Sequence, residues 1–107
     1  MKTAQELVTD SLDLENTIRI LEQLVSVPSA VGHEENLAEL IGDVLREDGF
    51  DIEFQRVEGM RKNVVATYRF SSSGPCLMFN GHLDTVAASG NWHGDPHEPV
   101  RRDGRDP

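Results

Sequence analysis

The sequence predicts an α/β protein, two helices packed on a mixed β-sheet, and three observations carry that reading. Apolar residues recur at helical spacing in two stretches between residues 13 and 48, and after Gly49 the period switches to strict alternation. A short uninterrupted apolar run then follows at residues 76–80. Helix, helix, strand, strand, strand is an order that lays helices on a sheet. At 107 residues the chain has the length of one domain.

Residues 1–12 are polar with scattered apolar positions, Leu7, Val8 and Leu12, and are expected to be a mobile or helical N-terminal extension without a function of its own. From Asp13 the pattern sharpens. Leu14, Ile18, Leu21 and Val25 form one helical stripe with Leu24 beside it, and Pro28 disfavours helical geometry at Val27, so the helix should stop near Ser26. A second helix over residues 33–48 buries Leu37, Leu40, Ile41, Val44 and Leu45. Glu34 and Glu35 complement its dipole at the start, and Gly49 suits the left-handed position past its end. His33 reads as an exposed residue at the helix entry.

Phe50, Ile52 and Phe54 then alternate with Asp51, Glu53 and Gln55, as in a half-buried strand. A polar loop at 57–62 leads to a second strand at 63–70, with Val64, Ala66, Tyr68 and Phe70 on one face. Ser71-Ser72-Ser73-Gly74-Pro75 is a turn into the third strand, where Cys76 is expected to be a small buried hydrophobe. Beyond Ala87, Gly90, Gly94, Pro96, Pro99 and Gly104 break any regular element. Trp92 should anchor this loop by packing, whereas His93 and His97 are expected to be solvated loop histidines because no cysteine partner lies near them.

Ten Lys and Arg against nineteen Asp and Glu give a net charge of −9, and no basic cluster offers a footprint for nucleic acid or an anionic membrane. A lone cysteine forms no internal disulfide, the first ten residues lack a signal-peptide core, and no apolar run approaches the roughly 20 residues needed to span a bilayer. The expectation is a soluble, cytoplasmic protein.

The candidate chemistry sits directly after the third strand, at His82 and Asp84. Two residues apart on extended backbone, these side chains can point the same way. An imidazole so placed can bind a metal through one nitrogen while the carboxylate fixes its tautomer through the other. The same residues could also merely cap a turn at a polar strand end.

Gly81-His82-Leu83-Asp84-Thr85-Val86 after an apolar strand, then Trp92, Asp95-Pro96 and Asp103-Gly104-Arg105, resembles the N-terminal part of the M20 family. That family comprises zinc- or cobalt-dependent amidohydrolases and peptidases and includes the acetylornithine deacetylase and succinyl-diaminopimelate desuccinylase group. The resemblance implies that residues 13–107 are the opening part of an M20 catalytic domain. In that domain His82 is a ligand of one of two metal ions and Asp84 is the carboxylate that orients it. It further implies a small N-acyl amino acid or peptide as substrate and a homodimer only in the full-length protein.

The family's metal-bridging aspartate, its Glu-Glu pair containing the general base, its remaining ligands and its lid and dimerisation domain have no counterpart here. Glu34-Glu35 precedes the His-x-Asp block instead of following it, and Asp106 lacks the family's context. The loop also departs from the family pattern, with Ala87-Ala88 where a proline is common and His97 where many members have an aromatic. The chain alone is therefore expected to be catalytically inactive. The alternatives are a non-catalytic α/β binding module or a truncated remnant.

Overall fold

Asp13 starts the first long helix of the computed structural model, which describes residues 1–59, 61–90 and 92–102. Before it, a short helix α1 (Ala4–Asp10) is capped by Thr3, whose hydroxyl accepts the Glu6 N–H at 3.1 Å, and buries none of its residues. The Asp13 carboxylate accepts the Asn16 N–H at 3.0 Å and opens α2 (Leu14–Val25), which ends ahead of Pro28 as the sequence requires.

Helix α3 (Glu35–Glu47) closes in a full Schellman motif. The Phe50 N–H reaches the Leu45 carbonyl and the Gly49 N–H reaches the Arg46 carbonyl, both at 3.0 Å, with Gly49 at φ +93°. This reversal feeds directly into β1 (Asp51–Glu58), which pairs antiparallel with β2 (Arg61–Thr67). A register shift between Arg56 and Glu58 leaves Val57 exposed. The hairpin is tighter than expected: β2 begins at Arg61 instead of residue 63, because Arg56 and Lys62 already pair across the ladder.

Helix α3 packs on both strands and forms the core, where Leu37 and Ala38 are 7% and 0% exposed. Gly42 lets the helix come close to the sheet. A Cβ there would stand 2.6 Å from Cζ of Phe54, so the ring of β1 occupies the space that a side chain would need. Lys62 lies over the same ring, 4.4 Å from its centroid, and pairs with Glu39 at 3.1 Å.

Two expectations are corrected. Helix α2 packs on α3 and makes no contact with the strands among the described residues, so only α3 lies on the sheet. Its predicted stripe is accordingly uncovered in part, with Leu14 and Leu21 exposed. The expected third strand, residues 76–80, makes no ladder, which leaves a two-stranded antiparallel sheet where a mixed one was expected. Leu77, Met78 and Phe79 are 80%, 79% and 89% exposed, and Cys76 is exposed as well. Consecutive apolar residues suit a strand covered on both faces. The described residues supply neither a neighbouring strand nor a covering layer for this run.

Candidate functional site

Residues 76–84 carry no helix or ladder, so the position of the candidate pair depends on what holds the chain just beyond it. Thr85 provides that hold through an isolated parallel bridge to Ala30. The Thr85 N–H donates to the Ser29 carbonyl at 2.9 Å, and the Val31 N–H donates to the Thr85 carbonyl at 3.2 Å. Among the described residues no other backbone hydrogen bond joins residues 68–102 to residues 1–67.

His82 and Asp84 come together as their spacing suggests. Nδ1 of His82 lies 2.9 Å from the backbone oxygen of Asp84 and 3.2 Å from its Oδ1. Both neighbours accept hydrogen bonds and neither donates, so the proton belongs on Nδ1 and the lone pair of the neutral ring on Nε2. The ring is 82% exposed, which leaves Nε2 open to solvent.

Thr85's partner Ala30 and the residues after it are themselves held. Ala30 to His33 form a turn closed by the His33 N–H on the Ala30 carbonyl at 2.8 Å, with Gly32 at φ +90° as the third turn position demands. The Gly32 N–H donates at 3.0 Å to Oε1 of Glu34, a carboxylate residue only 5% exposed. Arg61 at the start of β2 grips the same carboxylate with both arms, Nε to Oε2 at 3.2 Å and Nη2 to Oε1 at 3.1 Å. The Gly32 N–H, with Arg61 behind it, outweighs burial and holds the Glu34 carboxyl below its ordinary range. Dipole complementarity at a helix start, the reading of Glu34 from sequence, understates this residue. The missing signal was Arg61, a separate strand residue 27 positions away.

A cavity of about 390 Å³ opens beside Thr85, between the end of α2 and the loop, lined by Leu24, Val27, Val86, Trp92, Pro96 and His97 among others. Trp92 borders it and donates its indole N–H to the Ser89 carbonyl at 3.2 Å, although the residue stays 59% exposed. His97 lines the cavity while His93 is exposed, and among the described residues neither joins a cluster of three potential ligands. Arg101 ties the end of the loop to α2 through Glu15 and Glu22, its Nη2 lying 3.0 Å and 2.6 Å from them. That contact lowers the Glu22 pKa.

The residues do not by themselves make a metal centre: among those described, no group of three His, Cys, Asp or Glu side chains converges. They present one oriented imidazole, short of the three protein ligands of a catalytic zinc site. Asp103, Gly104 and Arg105 lie outside the described residues. No described helix is long and apolar enough to cross a membrane.

Comparison with known proteins places this arrangement in context. The chain is 33% identical over 90 residues to the succinyl-diaminopimelate desuccinylase of Sulfurovum sp. (strain NBC37-1), covering 84% of this chain and 23% of that protein. It is 30% identical over 96 residues to the probable succinyl-diaminopimelate desuccinylase of Staphylococcus epidermidis (88% and 23%). With the acetylornithine deacetylase of Erwinia tasmaniensis it shares 32% identity over 100 residues (86% and 26%). The chain thus spans about a quarter of the length of the curated relatives it matches. No family profile and no solved structure matches it.

Proposed function

Because this chain belongs to the M20 family, in the group of the succinyl-diaminopimelate desuccinylases and acetylornithine deacetylases, we propose that it is part of the catalytic domain of a metal-dependent hydrolase. The bond cleaved is the amide of an N-acyl amino acid or small peptide. His82 contributes one ligand to a zinc or cobalt ion through Nε2, and Asp84 holds the ring in the tautomer that makes this possible. The single observation behind this assignment is the contact of His82 Nδ1 with the carbonyl and carboxylate of Asp84, at 2.9 and 3.2 Å.

A metal ion held in part by His82 would supply Lewis-acid activation of the amide carbonyl and of a water molecule. This chain's share of the work is narrower. Asp84 keeps the proton on Nδ1, raises the basicity of Nε2 and fixes the direction in which the ring presents its lone pair. The further ligands and the general base would have to come from residues other than those described, and no turnover is expected from the described residues by themselves.

Calorimetric titration of the chain with Zn2+ and with Co2+ tests this reading, alongside the His82→Ala variant and an amide-hydrolysis assay on N-acetylornithine and N-succinyl-diaminopimelate. The expected result is one weak site that His82→Ala abolishes, without turnover. Tight binding of two ions, or binding unaffected by His82→Ala, would contradict it.

A second reading, a non-catalytic α/β binding module, draws on the exposed run Leu77-Met78-Phe79. In that case zinc and cobalt give no heat of binding at His82.

A further inference from the structure

We propose that Glu34 is a positioning residue for the His82–Asp84 pair, transmitting the rigidity of the α3–hairpin unit to it through the Gly32 turn and the Ala30–Thr85 bridge. The inference deepens the hydrolase reading and takes its functional meaning from it. The geometry is a continuous relay of hydrogen bonds. Arg61, on the paired strand β2, holds Glu34 with two bonds at 3.1 and 3.2 Å. Glu34 in turn holds the Gly32 N–H at 3.0 Å. The turn so fixed places the Ser29 carbonyl and the Val31 N–H, which clamp Thr85 at 2.9 and 3.2 Å. Asp84 is the next residue, and its carbonyl and carboxylate meet the His82 ring.

Three features assign this role to Glu34 in preference to a general structural one. Its carboxylate is almost completely enclosed and uses both oxygens, one of them shared between a strand and a loop. The clamp it supports supplies the only backbone hydrogen bonds, among the described residues, between residues 68–102 and residues 1–67. The segment from residue 76 to residue 84 has no ladder of its own, so an error in the turn passes undamped to the imidazole. A ligand must be held within a few tenths of an ångström for a metal site to keep its geometry.

The test is NMR of the metal-free chain, following amide hydrogen exchange at Val31 and Thr85 and the ring nitrogens of His82, for wild type, Glu34→Gln, Arg61→Lys and Lys62→Ala. Glu34→Gln keeps the shape and loses the paired charge. It is expected to speed exchange at Val31 and Thr85 at least tenfold and to move the His82 ring away from a single Nδ1–H form, while Phe54 and Val64 in the hairpin stay protected. Arg61→Lys keeps the charge without the fork and is expected to give the same pattern with smaller changes, which preserves the test if Glu34→Gln fails to fold. Lys62→Ala removes the neighbouring ion pair with Glu39 without touching the relay and should leave the His82 signals in place.

The proposal is overturned if Thr85 exchanges freely in the wild type, or if both relay variants leave His82 and Thr85 unchanged. It is equally overturned if Lys62→Ala reproduces their effect. None of these readouts needs metal or turnover, so a failed relay is distinguishable from a failed hydrolase assignment.

Discussion

Residues 35–67 and residues 68–102 are two regions of one chain with opposite economies of structure. In the first, α3 and the β1–β2 hairpin satisfy their backbone locally, through a Schellman closure, a ladder and a helix face on the sheet. In the second, an apolar run as strand-like as β1 lies without a ladder and with its side chains in solvent. The difference lies in the partners. A hairpin brings its own neighbour within a few residues, whereas a strand meant for the middle of a sheet depends on neighbours and covering layers from elsewhere. The candidate site sits in the second region and takes its order from the first, through Thr85.

The largest effect should come from breaking the packed region. Leu37→Ala removes a side chain 7% exposed between α3 and the sheet and is expected to destabilise by about 2–4 kcal/mol, read as a lower midpoint in urea. Gly42→Ala comes next. An alanine would improve helix propensity by about 1 kcal/mol, but its Cβ meets Phe54 Cζ at 2.6 Å, and the clash should win with a net loss of about 1–2 kcal/mol. Combining it with Phe54→Leu should recover part of that loss, and a strictly additive double variant would show that the close approach is not what matters.

A smaller effect is the pH dependence of Glu34. Its carboxyl pKa is lowered in the folded chain, so its contribution is fully present above the unfolded value and is lost as pH falls through the folded one. Urea midpoints measured between about pH 6 and 3 should fall more steeply for wild type than for Glu34→Gln. Parallel curves would detach this carboxylate from the fold. The smallest effect belongs to the second region. Met78→Asp replaces a side chain 79% exposed and should change stability by less than about 0.5 kcal/mol while reducing self-association in sedimentation. A loss above about 1 kcal/mol would mean that the run is packed in solution.

The same contrast explains what was legible beforehand. The amphipathic stripe of α3, the breaks at Pro28 and Gly49 and the alternation from Phe50 to Phe54 are all local patterns, and each element lies where its pattern put it. The run at residues 76–80 carried an equally clear local pattern, yet a ladder is a relation between segments. Composition cannot say whether the other segment is there. At the site, the meeting of His82 and Asp84 followed from a spacing of two residues. The hold on Thr85 from Ser29 and Val31, and the enclosure of Glu34 by Arg61, join residues far apart in sequence, and no period announces them. Leu14 and Leu21 show the converse case, a stripe correctly placed on a helix whose covering layer the described residues do not supply.

The measurement that bears most directly on the account is long-range 1H–15N NMR of the His82 ring, recorded before and after adding Zn2+. The expected result is a ring protonated at Nδ1 in the metal-free chain, with zinc shifting Nε2 and Asp84→Asn weakening both features. A ring protonated at Nε2, or an Nε2 resonance indifferent to zinc, would contradict the claim that Asp84 readies His82 as a metal ligand.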